Sequence, residues 1–450
     1  MLISDIVRSH TMKEAVEGSR QELAQLNDWQ QANVREADNF LRNQLSVDPL
    51  LMEKKSKLEV MAEHAWRKCR AENNWSGFVP QFKELVALVR EEAKQRKTER
   101  HRSVYDAMLD LYEPGMSVAK LDAIFDPLKK ILLELIPIVL EKQKIKTIPD
   151  FSGSYPIEIQ KAVGLRLMKT LGFDFTHGRL DVSVHPFCGG VPDDVRITTR
   201  YATTDFTQSL MGVVHETGHA LYEQHLPKAY VAQPVGSARG MAAHESQSLF
   251  MEMQLGRSKE FLEHVDPILR ENFPALSEHP QYNVENFCDY FREVKPGFIR
   301  VDADEVTYPL HVMLRYEIER PLIEGDIEVE DIPALWNEKM KAYLGLNTEG
   351  DFKNGCLQDI HWPSGTFGYF PSYSLGAMIA AQLRKSMDQD LVDVPAMLKQ
   401  GDFTQIRSWL ERKVWSQASY FENYDELCKS ATGETLNPKY FIDHLKNRYL

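Results

Sequence analysis

The chain has 450 residues, 43% hydrophobic and 26% charged, the balance of a soluble globular protein long enough to bury a large core. Acidic side chains outnumber basic ones, 66 to 53, and a formal net charge of −13 disfavours a nucleic-acid partner because such a surface repels phosphate. No membrane element is expected: the most apolar stretch, Ile131–Leu140, contains Glu134 and Pro137 and is far shorter than the ~20 residues a spanning helix needs. The opening residues, Met1–Val16, hold no apolar signal segment, and the five cysteines (Cys69, Cys188, Cys288, Cys356 and Cys428) form no CxxC pair. Free thiols in a reducing compartment, the cytoplasm, are therefore expected.

From Ser4 to about Val47 there is no proline, and Gln81–Glu113 lacks both proline and glycine. In the second segment Phe82, Leu85, Leu88 and Val89 recur at close to helical spacing, and the pattern stops at Pro114-Gly115. Helical patterning resumes over Val118–Gln143, so the first third reads as long amphipathic helices, with charge runs such as Arg90–Arg102 forming a solvated face. One region alternates instead. Leu180, Val182 and Val184 interleave with Asp181, Ser183 and His185, and Val195 and Ile197 with Arg196 and Thr198. The turn formers Cys188–Asp194 lie between them, which predicts a short antiparallel strand pair. Helical patterns return at Thr207–Gln224, Ala242–Leu255, Pro309–Glu319 and Ser374–Met387. The expected fold is mainly α: one large domain over residues 1–450 with a small antiparallel β-sheet beside the chemistry.

That chemistry begins at His215-Glu216-Thr217-Gly218-His219, an H-E-x-x-H inside a helical pattern. Positions i and i+4 lie one turn apart on one helix face, so both imidazoles can reach one metal ion, with Glu216 offset beside it. Catalytic zinc usually takes a third protein ligand and keeps a position for water. Glu245, in His244-Glu245-Ser246-Gln247, is the candidate, with Glu252 and Glu223 as alternatives. His225 stands where a third histidine ligand would follow, but Tyr222 replaces the glycine that would let the chain turn back. Two imidazoles and a carboxylate leave a net charge of about +1, enough to polarise water and a carbonyl. Glu216 is then placed to take the proton of the attacking water and return it to the departing amine. An oxyanion donor is also needed, and the stretch from His361-Trp362 to Tyr369 and Tyr373 offers several, although composition alone would read these aromatics as core.

These motifs resemble the carboxypeptidase Taq-type zinc metallocarboxypeptidases. The resemblance rests on His185-Pro186-Phe187, Asp194-Val195-Arg196-Ile197-Thr198, the H-E-x-x-H, His244–Gln247, Ile299-Arg300-Val301-Asp302-Ala303-Asp304 and Gly355–Trp362, together with Tyr105–Met116. The motifs span residues 105–450, preceded by a helical part, residues 1–104, that is short for the family and lacks its WDxxTxMP-like segment. The resemblance implies zinc ligands His215, His219 and Glu245, with Glu216 as general base. It also implies a neurolysin-like helical fold with a deep groove, a homodimer, and broad removal of C-terminal residues from peptides that usually spares proline. Co²⁺ or Mn²⁺ can occupy the same ligand set.

A carboxypeptidase must also hold the free carboxylate of its peptide, which calls for a positioned arginine. Arg300 and Arg196 are the candidates. A salt bridge of Arg300 with Asp302, Asp304 or Glu305 is its competing reading, and for Arg196 a structural role is the competing one. The strand pair offers an edge along which an extended peptide could align. Tyr369 is the first choice of oxyanion donor, with His361 and Tyr373 behind it. Two other classes remain open: an oligoendopeptidase with the same metal chemistry, and a helical binding protein that keeps zinc for stability alone. Against the second, Glu216 has no structural reason to stand between two ligands.

Overall fold

The computed structural model describes residues 6–183 and 186–450. Val184 and His185, which belong to the predicted alternation and to the His-Pro-Phe motif, lie outside the described residues. In chain order the helices are α1 (His10–Gln21), α2 (Asp28–Leu45), α3 (Pro49–Ala71), α4 (Trp75–Arg96), α5 (Val104–Leu109), α6 (Val118–Gln143) and α7 (Ile157–Leu171). Strands β1 (Gly178–Val182), β2 (Cys188–Val191) and β3 (Asp194–Thr199) follow, then α8 (Thr207–Gln224) and α9 (Gly240–Leu249), which continues as a π-helical turn over Phe250–Gly256. After these come α10 (Lys259–Asn272), α11 (Pro274–Glu278), α12 (Val284–Phe291), α13 (Tyr308–Glu324), α14 (Ile332–Leu344), α15 (Pro371–Asp390), α16 (Val394–Gln400), α17 (Thr404–Lys413), α18 (Tyr424–Thr432) and α19 (Lys439–Tyr449). The mainly α expectation holds. Among the described residues no helix is long and apolar enough to cross a membrane, and the five cysteines are free.

The chain divides into two compact units, one of residues Met1–Ile138 and Val294–Ser374, the other of Val139–Glu293 and Leu375–Leu450. In the first, α4 buries Phe78, Phe82, Leu85, Val86, Val89 and Ala93 along one face. Glu92 on the same helix is also buried, and it is neutralised by Lys55 of α3 at 2.8 Å and Arg96 at 2.8 Å. The helix predicted through Glu113 ends at Arg96. Lys97–Arg102 carries little that a helix could bury, and Ser103 with Asp106 forms a capping box that starts α5 afresh. Asp106 also accepts the Val118 N–H at 2.7 Å, fastening the start of α6 to α5.

In the second unit the expected antiparallel pair is a three-stranded mixed sheet in the order β1-β3-β2. The Pro192-Asp193 turn folds β2 back onto β3, pairing Val191 with Asp194 and Cys188 with Ile197. That occupies one edge of β3, so β1 takes the other and runs parallel to it, Gly178 opposite Val195 and Val182 opposite Thr199. Alternation reports which face a side chain takes but not strand direction, and two glycines disguise β2 as loop. Leu180, Val195 and Ile197 pack with Met168, Phe173, Val213 and Ala220, which seats the sheet between α7 and α8.

Candidate metal centre

Helix α8 carries His215, His219 and Glu223 at spacings of four, hence along one stripe. Helix α9 runs antiparallel against it. Their close approach depends on Gly218, where a Cβ would stand 2.3 Å from the Gln247 carbonyl oxygen and 2.6 Å from Ser248 Cα. Glu245 therefore enters between the two imidazoles: its Oε2 is 3.2 Å from His219 Nε2 and 4.0 Å from His215 Nε2. The three donor atoms lie within 4.8 Å of one another. Donors around a tetrahedral ion with bonds of about 2.1 Å stand about 3.4 Å apart, so this set closes on one ion with small side-chain adjustments. Glu245 is backed by Gly376 of α15, where a Cβ would come within 2.8 Å of its Cβ and Cγ.

Each imidazole offers Nε2 to the centre and has Nδ1 held from behind. His215 Nδ1 is 2.9 Å from Glu252 Oε2, and Arg257 donates to the other oxygen of Glu252 at 2.6 Å. Glu252 reaches this position from the π-helical turn, an insertion of extra backbone of the kind that recurs at functional sites. His219 Nδ1 is 2.6 Å from His244 Nδ1, and His244 Nε2 is 2.8 Å from Glu223 Oε1. Glu252 and Glu223, the alternative third ligands, are thus engaged behind the imidazoles. His225 is turned away: its Nδ1 donates to the Leu221 carbonyl at 2.7 Å and its ring packs on Trp415.

The electrostatics call for a cation. Burial opposes protonation of His215, but the Glu252 hydrogen bond and the charges of Glu245, Glu252 and Glu216 outweigh it and raise its pKa to about 10. Burial, with the neighbouring His244 and His215 charges, outweighs the pull of Glu245 and lowers His219 to about 4. Glu216 is 6% exposed, and among the described residues its Oε2 has no hydrogen-bond partner. Burial, followed by Glu245 and Glu252, overcomes His215 and raises Glu216 to about 7. A buried carboxylate oxygen without a donor beside two imidazoles and a third carboxylate suits a residue whose partner is a water molecule on its way to reaction.

Of the other predicted residues, Arg196 belongs to the sheet of the second unit, and Arg300, His361, Tyr369 and Tyr373 belong to the first unit. Arg196 is exposed on β3 and pairs with Asp194, two residues away on the same strand, at 2.6 Å. Arg300 is buried in the first unit, and its partner is none of Asp302, Asp304 and Glu305. It grips Asp359 through Nε at 3.0 Å and Nη2 at 2.9 Å, and donates Nη1 to Tyr308 at 2.9 Å. Asp304 instead caps the backbone N–H groups of Val306 and Thr307. A second guanidinium, Arg315, is 1% exposed, clasped between Trp362 and Phe370 at 4.2 and 4.1 Å, with Nη1 3.6 Å from Asp359. His361 Nε2 is 3.1 Å from the Tyr373 hydroxyl, and its ring stacks on Tyr369 with centroids 5.7 Å apart. Burial, then Arg315 and Arg300, lowers His361 to about 3 against the pull of Asp359, so its ring is neutral at working pH.

Residues 1–449 match the family model described as carboxypeptidase Taq (M32) metallopeptidase. The chain belongs to this family. It is a metallocarboxypeptidase, a peptide hydrolase that uses a divalent metal ion. Against carboxypeptidase 1 of Bacillus subtilis (strain 168) it is 40% identical over 389 residues, 86% of this chain and 76% of that one. The structure of Trypanosoma cruzi metallocarboxypeptidase 1 superposes with a TM-score of 0.96 at 45% identity, covering 99% of this chain and 89% of that one. Pyrococcus furiosus carboxypeptidase, in its Apo-Mg structure, gives 0.95 at 35% identity over 100% and 89%.

The sequence offered His244 only as a motif residue and Glu252 and Glu223 only as alternative ligands, not as residues behind the imidazoles, and it singled out neither Arg257 nor the guanidinium of Arg315. Signals existed for some. Glu223 continues the spacing of four from His215 and His219, and Glu252 follows Glu245 by seven, two turns along one face. What was missing is the antiparallel register that turns those two stripes into pairs.

Proposed function

We propose that this metallocarboxypeptidase removes single C-terminal residues from peptides of broad sequence, with Zn²⁺ held by His215 Nε2, His219 Nε2 and Glu245. Co²⁺ or Mn²⁺ suits the same donors. The observation that carries this reading is the convergence of three donor atoms within 4.8 Å beside the unpartnered Glu216 Oε2. When bound, the ion supplies positive charge that polarises the scissile carbonyl and acidifies the attacking water. Glu216 accepts the water's proton and delivers it to the departing amine. Glu252 and His244, from behind, keep the two imidazoles in the tautomer that turns Nε2 inward.

Tyr369, with His361 and Tyr373 behind it, is the proposed donor to the developing oxyanion. In support, the half-buried His361 is held below the usual imidazole range and its Nε2 lies 3.1 Å from the Tyr373 hydroxyl. For the substrate carboxylate we keep Arg300 and Arg196; Arg300 is supported by its place beside a second guanidinium, Arg315, with which it shares Asp359. Residues 1–450 act together as one catalytic domain, in the cytoplasm and as a homodimer. Five free thiols and the resemblance to the family support these points. The experiment is mass spectrometry of an N-acetylated peptide with a free C-terminus, with and without chelator. A ladder of single C-terminal losses that chelator abolishes and Zn²⁺ restores is expected, whereas internal cuts would overturn the proposal.

A further inference from the structure

We propose that His244 and Glu223 form a positioning chain that fixes the tautomer and orientation of His219 toward the ion. The inference rests on the reading of His215, His219 and Glu245 as the ligand set. An imidazole that gives its Nε2 lone pair to a metal carries its proton on Nδ1. On His219 that atom is 2.6 Å from His244 Nδ1, so His244 must accept there. Its own proton is then confined to Nε2, 2.8 Å from Glu223 Oε1, where a carboxylate accepts it. Each tautomer follows from the one before, and the chain ends on an anion.

The arrangement differs from the one behind His215, whose Nδ1 meets Glu252 directly, with Arg257 balancing that charge. On this side the His244 ring stands between the Glu223 charge and His219. Both helices contribute alternately: α8 supplies His219 and Glu223, α9 supplies Glu245 and the His244 that precedes it. The Tyr222 ring lies 5.5 Å from that of His244 and limits its swing. His244 thus has a function distinct from its neighbour Glu245, which accounts for a histidine at the head of His244-Glu245-Ser246-Gln247.

The test is Co²⁺ affinity of the full chain, stripped and titrated against a chromophoric chelator, together with the visible d–d spectrum of the Co²⁺ form. H244F should weaken binding roughly 10- to 100-fold and alter the spectrum. H244N keeps an acceptor where Nδ1 stood and should recover most of that loss, and E223Q should lose less than H244F. E245A serves as the control and should lose the ion. Wild-type affinity and spectrum in H244F, beside lost binding in E245A, would overturn the positioning chain alone. Wild-type binding in E245A would overturn the ligand set on which it rests. Should the apo melting curve show that H244F does not fold, E223Q decides, and an unchanged affinity and spectrum there counts against the chain.

Discussion

Replacing Gly218 with alanine separates packing from propensity. In an unencumbered helix interior, alanine is preferred over glycine by about 1 kcal/mol. Here the new Cβ would stand 2.3 Å from the Gln247 carbonyl oxygen, which is backbone and cannot rotate away. Restoring an ordinary contact near 3.5 Å requires α8 and α9 to part by about 1 Å. Overpacking of this kind costs about 1–3 kcal/mol, enough to reverse the sign of the propensity gain. The ligands are divided across that seam, His215 and His219 on one side and Glu245 on the other, and a 1 Å misplacement costs on the order of 100-fold in rate. Thermal or urea melting of the apo chain, Zn²⁺ affinity by chelator competition and kcat/KM on a blocked peptide provide the assay. Expected are lower stability, weaker metal binding and a fall in kcat/KM of about 100-fold. A variant stabilised by about 1 kcal/mol with unchanged metal affinity would refute the reasoning.

Three further outcomes are expected. E216Q should retain its metal, measured by elemental analysis, and lose at least about 100-fold in kcat, whereas loss of both together would contradict its assignment as base. G376A should weaken metal binding although it alters no ligand, because its Cβ would press within 2.8 Å of Glu245, and an unchanged dissociation constant would contradict that. D359N leaves Arg300 and Arg315 without their shared anion and should cost about 3–5 kcal/mol in urea unfolding. Burial would raise the Asp359 pKa, but Arg300 and Arg315 hold it well below the usual carboxylate range, so its stabilisation is present above its unfolded value of about 3.9. It is lost as pH falls from there toward the folded pKa, and D359N should lack that share of the acid loss.

The core of the site was legible because helical spacing is local: His215 and His219 share a face whatever surrounds them. Glu245 required a second helix, and only the resemblance to the family chose it over Glu252 and Glu223. Those two glutamates turn out to stand behind the imidazoles, an outcome set by the α8–α9 register and by a π-helical turn that hydrophobic periodicity does not reveal. The mixed sheet escaped for a similar reason, since alternation in β1 and β3 is the same for parallel and antiparallel neighbours. The break after Arg96 came without glycine or proline, and its marker was the Ser103–Asp106 capping box. Arg300 was found as a motif residue, but its partner Asp359 is far along the chain and belongs to a different motif.

The most direct measurement is anomalous diffraction at the zinc edge from crystals grown with Zn²⁺. A single strong peak bonded to His215 Nε2, His219 Nε2 and one Glu245 oxygen at about 2.0–2.2 Å is expected, with Glu252 on His215 Nδ1 and His244 on His219 Nδ1. A peak coordinated by Glu252, Glu223 or His244 in place of Glu245, or one lying away from α8, would contradict the ligand set and the mechanism built on it.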